Sequence, residues 1–303
     1  MVAASRRRDG EEGPIGLVVV DKEPGWTSHD VVARCRRLFG QRRVGHAGTL
    51  DPDATGILLV GLGRVTRTLR FLTALGKQYE AEVVLGTATS TLDASGEVTG
   101  TWDMTAVTLT DVRRATATLT GDIEQIPPMV SAVKIAGRRL HEMARAGLEV
   151  DRPPRPVTVD RFDVLAPGDT PGSYRVVVEC SSGTYVRTLA ADLGAALGGG
   201  AHLRALRRTR AGSFGVEEAH RLDELTAAHI LTPVQAMRDM PQVEIDDAGA
   251  RQVSHGLALD KVALGAHGDG PWALVDHGGR LLAVYQGTDT DRMVAACVLM
   301  ASG

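Results

Sequence analysis

Aromatic residues are scarce: Phe, Trp and Tyr make up 4% of the 303 residues, and only four of them are tyrosines. Each tyrosine is therefore worth locating, because an aromatic face is what an extruded nucleobase stacks on. The three cysteines, Cys35, Cys180 and Cys297, lie far apart. They have neither metal-ligand spacing nor an even count, which argues against a thiolate cluster and a disulfide framework. No apolar run approaches the roughly 18 residues of a membrane span. Met1 to Gly13 carries charge without a hydrophobic signal core, so a soluble cytoplasmic chain is expected. No strong excess of charge exists either, with 34 Lys and Arg against 37 Asp and Glu and a net of -3. A uniform positive coat is excluded, and a nucleic-acid partner then requires a local basic face. The stretch GLVVVDKEPGWTS has glycines and a lysine but not the order of a phosphate-binding loop, and no fixed-period repeat appears.

What is present is a globular composition, 43% hydrophobic, in a chain long enough for one large and one smaller domain. Ile15 to Val20 reads as a strand, and Thr27 or Ser28 can cap a helix running toward Phe39. Gly45 to Gly56, GHAGTLDPDATG, reads as a loop, with ILLVGLG as a strand after it and a helix over Thr66 to Leu75. YEAEVVL favours a strand, and TATSTLDASGEV a strand, a bend at Asp93 and a strand return. Leu109 to Leu119 reads as a helix ending at Gly121, and QIPPMVSAVKIAGRRLHEMARAG as a proline pair leading into a basic helix. YRVVVECSSGTYVRTLAADLGAALG passes from strand through a turn to a helix, with a further strand or turn after AHLRALRRTRAGSF. Asp223 to Pro241 reads as helical and then linker-like, and the chain from Gln242 as a small β-rich module. The strands do not alternate with helices in parallel units, so the fold class is α+β with a largely antiparallel sheet.

Asp51 sits in the glycine-flanked loop beside Pro52 and Asp53; both a turn-stabilising aspartate and a catalytic carboxylate fit that segment. His46 fits a structural imidazole as well as one set against a base. Tyr79 and Tyr185 fit packing or base stacking. Arg187, after SSGTY, fits a surface anchor or a guanidinium orienting a carboxylate such as Asp51. His46 and Asp51 lack a third ligand for a metal. Three basic groupings recur: Arg34, Arg36, Arg37, Arg42 and Arg43; Lys134, Arg138, Arg139 and Arg145; and Arg204, Arg207, Arg208 and Arg210. On a shared face they make an RNA track, whereas any one alone is explained by a solvated surface.

The segments GLVVVDKEPGWTSHDVV, RRVGHAGTLDPDATGILLVGLG, KQYEAEV, QIPPMVSAVKIAGRR, SSGTYVRTLAADLG and GAHLRALRRTRAGSF occur in this order between Gly16 and Phe214. Together they resemble the bacterial tRNA pseudouridine synthase family represented by TruB. The resemblance implies isomerisation of uridine 55 in the T-loop of tRNA to pseudouridine, without a cofactor or metal. It implies a pseudouridine synthase core of mixed, largely antiparallel sheet and a small C-terminal PUA-like module. The expected division is a flexible tail over 1–13, a catalytic domain over 14–238 and the RNA-binding module over 239–303.

By the same resemblance Asp51 is the catalytic aspartate, Tyr79 the tyrosine against the target base, and Arg187 the arginine paired with the catalytic carboxylate. His46 matches the histidine that binds the rearranged T-loop. Lys22, Tyr185, Leu206 and Asp93 match further active-site or substrate-contact positions. Two departures stand out: Glu23 follows Lys22 where the family places proline, and His141 stands where a tyrosine is usual. The expected partner is tRNA, with no membrane and no obligate protein partner, so a monomer is expected. A noncatalytic tRNA-binding or folding factor is the alternative from another class.

Overall fold

The structure, a computed structural model, describes residues 13–131, 134–135, 138–140, 143, 148 and 150–300. Apart from Gly13, the expected tail lies outside the described residues. The chain forms two compact units, one from Met1–Pro52, Gly56–Thr73 and Gly212–Gly303, the other from Asp53–Thr55 and Ala74–Ala211.

In the first unit, β1 (Gly16–Lys22) is a run of apolar residues buried almost throughout, as a strand covered on both faces requires. Helix α1 (Ser28–Phe39) starts where the sequence places its cap. The Thr27 hydroxyl accepts from the Asp30 amide while the Asp30 carboxylate accepts from the Thr27 amide, closing a capping box. Its buried stripe is Val31, Val32, Cys35 and Phe39, a helical spacing that leaves Arg36 and Arg37 exposed. Strands β1 and β2 (Val44–Ala47) both pair antiparallel with β3 (Thr55–Leu62). The β1 register runs unshifted from Gly16 opposite Leu62 to Lys22 opposite Gly56. Glu23 therefore leaves the preceding strand regular.

The helix expected over Thr66 to Leu75 is a 3-10 turn, Gly63–Thr68, followed by α2 (Leu69–Ala74). Successive third residues of a 3-10 turn fall on one side. Arg64, Arg67 and Arg70, so spaced, donate to the carbonyls of Leu299 at 3.2 Å, Val298 at 2.9 Å and Ala296 at 2.6 Å. These side-chain to main-chain bonds tie the C-terminal strand to this turn.

The second unit contains β4 (Lys77–Leu85), β5 (Thr87–Thr89), β6 (Val98–Thr101), α3 (Leu109–Thr118), β7 (Gly121–Gln125) and the two-residue strands β8 (Lys134–Ile135) and β9 (Arg138–Arg139). It continues with β10 (Arg155–Pro167), β11 (Ser173–Cys180), α4 (Val186–Ala196) and β12 (Ala201–Ala211). Its main sheet has the order β12, β4, β11, β10, β7, with every neighbour antiparallel. Two readings change here. AHLRALRRTRA is itself an 11-residue strand, and carboxylates of the same sheet partner two of its charges: Arg204 bonds Glu82 on β4 and Arg210 bonds Glu179 on β11. The basic helix expected after Pro128 begins instead with β8 paired to β9; His141 and Arg145 lie outside the described residues.

Back in the first unit, β13 (Phe214–Gly215) precedes a segment read as helical over Asp223 to Pro241. It holds only a 3-10 turn at Ala227–His229 and the four-residue α5 (Pro233–Ala236). Leu231 exchanges backbone bonds with Leu17 of β1, and just before the segment the His220 carbonyl accepts from the Asp21 amide. From Gln242 the chain is β-rich as expected, with β14 (Gln242–Ile245), α6 (Asp247–Ser254), β15 (Leu259–Asp260), β16 (Trp272–Asp276), β17 (Leu281–Gly287) and β18 (Arg292–Val298). The sheet order is β14, β16, β17, β18, β15, parallel only between β14 and β16. Trp272, Leu274, Leu282, Tyr285 and Met293 fill its core, and the Trp272 and Tyr285 polar tips bond the carbonyls of His267 and Leu257. This is the α+β fold expected, with a PUA-like C-terminal sheet. No helix among the described residues is long and apolar enough to cross a membrane.

In this sheet the exposed His277 imidazole meets the Glu244 carboxylate, which holds its pKa above the ordinary 6.5. A raised folded pKa means the contribution to stability is full below the unfolded value and is lost as pH rises through the folded one. A proton NMR titration should place His277 above 6.5, and Glu244→Gln should return it toward 6.5. Identical titrations in both proteins would refute the pairing.

Candidate active site

The Asp51 loop is shorter than the sequence suggested. His46 lies on β2 opposite Val60, and the irregular part runs from Gly48 to Ala54. Burial of Val44 and Ala47 and pairing with β3 draw the first residues of GHAGTLDPDATG into the sheet. Gly48 and Gly56 bound the turn at φ of 78° and 92°, a region that costs other residues about 1–2 kcal/mol.

Asp51 is half-buried between two residues that are each tied down. On one side Leu50, 3% exposed, receives both bonds of the Ser28 hydroxyl: its amide donates to Oγ at 3.0 Å and its carbonyl accepts from Oγ at 3.2 Å. On the other side the Pro52 carbonyl accepts from the Lys22 ammonium at 2.7 Å and the Gly25 amide at 3.0 Å. Lys22 is completely buried, and its Nζ also donates to the carbonyls of Trp26 at 2.7 Å and Glu23 at 3.0 Å. Desolvating an ammonium costs several kcal/mol, which charge-assisted bonds to three carbonyls offset. Lys22, matched by resemblance to a substrate-contact position, thus lies beneath the loop as a structural cation. His46 meets His29 edge to face, ring centroids 5.4 Å apart. Asp53 is exposed.

Asp51, His46 and Lys22 belong to the first unit; Tyr79, Asp93, Tyr185, Arg187 and Leu206 belong to the second. There Arg187, 4% exposed on the first turn of α4, donates to the carbonyls of Thr91 at 3.1 Å and Val130 at 2.8 Å and lies 3.5 Å from Asp93 Oδ2. The other Asp93 oxygen accepts from the Thr91 hydroxyl at 2.6 Å and from the Ser95 hydroxyl and amide at 2.6 and 3.1 Å. This turn also holds Leu92 at a φ of 62°, the one non-glycine with positive φ among the described residues. Such backbone costs on the order of 1 kcal/mol or more and persists where the surroundings over-determine it. Asp93 thus has a definite task, holding the turn whose carbonyl Arg187 reads.

Tyr185 immediately precedes α4. Its amide donates to Gln125 Oε1 at 2.7 Å and its carbonyl accepts from Gln125 Nε2 at 3.1 Å, so one buried side-chain amide fixes the start of the helix. Tyr79 is 9% exposed on β4, where Lys77, Tyr79, Ala81, Val83 and Leu85 alternate inward. Arg208, 2% exposed, stands opposite Tyr79 on β12. Burial and the Arg208 charge push the Lys77 ammonium down to about 8. Leu206, opposite Ala81, lines a cavity of about 340 Å³ together with Thr55, Glu80, Arg175 and Arg207.

The basic groupings divide. Arg36, Arg37, Arg42 and Arg43 are exposed and enter no ion pair among the described residues. Arg204 and Arg210 are met by Glu82 and Glu179, and Arg208 is buried, which removes them from a free track. The structure adds Gln125 and Lys77, which sequence reasoning did not single out, and gives new surroundings to Ser28, read there as a helix cap, and Arg208, read there as part of a basic track. Position two residues before Tyr79 on the same strand face was a signal for Lys77; the contacts of Ser28 and Gln125 span 22 and 60 residues and left none. No group of three or more His, Cys, Asp and Glu side chains suited to a metal occurs among the described residues.

Against known families, residues 36–186 match the TruB family pseudouridylate synthase N-terminal domain and 187–241 the tRNA pseudouridylate synthase B C-terminal domain. The tRNA pseudouridine synthase B of Mycolicibacterium paratuberculosis is 48% identical over 283 residues, covering 90% of this chain and 94% of that protein. That of Corynebacterium aurimucosum is 50% identical over 277 residues, covering 89% and 92%. Among solved structures, a Cbf5-Nop10-Gar1 complex contains a chain with a TM-score of 0.72 and 27% identity, covering 95% of this chain and 85% of that one. An H/ACA RNP bound to a substrate RNA containing 2'-deoxyuridine contains one with a TM-score of 0.71, 25% identity and coverages of 95% and 86%.

Lys22→Met should strip the Glu23 and Trp26 carbonyls of this donor, leave the Pro52 carbonyl with the Gly25 amide alone, and lower unfolding free energy by about 2 kcal/mol, at 1–3 kcal/mol per unsatisfied buried group. Urea denaturation checks this. An unchanged midpoint at unchanged slope would show that the ammonium does not hold the loop.

Proposed function

The chain belongs to the TruB family of pseudouridylate synthases and is an isomerase acting on tRNA; we propose that its target is uridine 55 of the T-loop and that Asp51 carries the chemistry. The observation that supports this reading best is the loop itself. A half-buried carboxylate stands between Leu50 and Pro52, each pinned through its backbone by a buried side chain. Such tethering preorganises a reacting group before substrate arrives.

The reaction breaks the bond between uracil N1 and ribose C1', turns the retained base, joins C5 to C1' and moves the C5 proton to solvent or N1. Atoms and charge balance without an added oxidant, reductant or group donor. Asp51 either attacks C1' and is later displaced by C5, or removes a ribose proton to give a glycal. Addition of a carboxylate to the base is a third route. Each route needs an ionised carboxylate with little freedom.

The uridine has to leave the folded T-loop, and stacking offsets the cost of extrusion. Tyr79 supplies that face in this reading, with Leu206 against the base and Tyr185 at the rim. Arg187, stabilised by Asp93, orients the Asp51 carboxylate. His46 engages the rearranged loop, and the exposed arginines of α1 and the following turn engage backbone phosphates. Lys22 acts through the Pro52 carbonyl beside Asp51. The catalytic domain is assigned to 14–238 and the PUA-like RNA-binding module to 239–303, in a monomer of the cytoplasm that requires no cofactor.

Purified protein incubated with unmodified tRNA should form pseudouridine at position 55, read by base-specific mass spectrometry. Asp51→Asn should keep tRNA binding and lose turnover by about three orders of magnitude or more, as removal of a reacting group does. Turnover at the wild-type rate would remove Asp51 from the chemistry. Binding or refolding of tRNA by the wild-type protein with no pseudouridine formed would favour the noncatalytic folding factor. Tyr79→Ala should slow single turnover by about fivefold to a hundredfold, the equivalent of a lost stack, with Tyr79→Phe largely active. Full activity of Tyr79→Ala would make it a packing residue.

A further inference from the structure

Glu23, which directly follows Lys22, has a side-chain partner. Its Oε1 lies 2.6 Å from Arg221 Nη2. On the other side of the same guanidinium, Nε lies 3.5 Å from Asp223 Oδ1. Both ends of this pair join the chain at anchored points. Arg221 directly follows His220, whose amide donates to the Val19 carbonyl at 3.0 Å and whose carbonyl accepts from the Asp21 amide at 2.9 Å. The His220 ring lies flat on that of His229, 3.8 Å between centroids and 9° between planes. Glu23 directly follows Lys22, and the Glu23 carbonyl is one of the three acceptors of the Lys22 ammonium whose other bonds reach Trp26 and Pro52.

Pro24 fixes its own φ by its ring and restricts Glu23 before it, but neither restraint reaches across to the 220–231 segment. The turn that carries the ammonium's acceptors then needs another restraint, and the ion pair is placed to supply it. We propose that Glu23 and Arg221 form an electrostatic latch that holds the Lys22 turn against the 220–231 segment and so positions Pro52 and, beside it, Asp51. Both are positioning residues that act through Lys22. The side chains are 35% and 52% exposed, so either charge can be changed without stranding an ion in the interior.

The inference rests on Asp51 being the reacting carboxylate, and its test separates the two claims. Single-turnover rates and tRNA dissociation constants would be measured for the full chain, for Glu23→Arg, Arg221→Glu and their double swap, for the milder Glu23→Gln, and for Asp51→Asn. Each reversal should lower the rate about fivefold to tenfold, the size expected of an exposed pair turned repulsive, while tRNA affinity and thermal midpoint stay near wild type. Glu23→Gln should fall between, and the double swap should recover most of the rate. Unchanged rates in the reversals, a loss seen only in affinity, or a double swap as slow as either single variant would overturn the latch. Asp51→Asn at full rate would sink the site assignment instead, whatever the latch variants do.

Discussion

One buried ammonium underlies the geometry of the first unit. Lys22 ends the strand β1, and its three bonds reach a turn four residues on and a carbonyl thirty residues on. A cation in an apolar interior is tolerated only when its donors are used, so the turn after β1 and the loop after β2 must come together if the chain is to fold around it. The stability of the strand pair and the placement of Asp51 are for this reason one problem. The Ser28 hydroxyl does the same from the other side with a neutral group, tying the start of α1 to Leu50.

The second unit uses a similar device with opposite emphasis. Arg187 is nearly buried, and two of its contacts are backbone carbonyls, which hold the guanidinium in place without cancelling its charge. Asp93 lies at the edge of hydrogen-bonding range and is itself committed to Thr91 and Ser95. An arginine so held has its orientation fixed by backbone acceptors and by the Asp93 carboxylate. The contrast with β12 is instructive. Arg204 pairs with Glu82 on the adjacent β4 and Arg210 reaches Glu179 on β11 beyond it, so charge dense in sequence is partly offset in space. Among the described residues, the arginines around the end of α1 have no such neighbours and keep a positive field at the surface.

Much of the architecture was legible in the sequence. The cap at Thr27, the helix from there to Phe39, the strand over YEAEVVL and the bend at Asp93 each lie where the pattern puts them, because they depend on contacts a few residues apart. The readings that changed share a cause. His46 joined a strand because β3 lies alongside it, AHLRALRRTRA became a strand because carboxylates partner two of its arginines, and the segment from Asp223, read as helical before a linker, instead exchanges backbone bonds with β1 at Leu231. Each depends on a partner distant in the chain. Helix propensity is worth a few tenths of a kcal/mol per residue, and tertiary partners override it readily.

The sequence by itself determined the fold class, the family and the residue types set for the chemistry, since ordered motifs and local periodicity survive translation into one dimension. Asp51, Tyr79 and Arg187 are identifiable there as a carboxylate, an aromatic face and a cation, and nothing more. Only the tertiary structure decided what holds them: that Lys22 is a buried support, that Asp93 braces the Arg187 turn, that Gln125 fixes the start of α4, and that Glu23 has Arg221 for a partner. The reason is physical. A side chain's chemistry is carried by its own atoms, whereas its burial, its charge partner and its freedom to move are set by neighbours tens to hundreds of residues away.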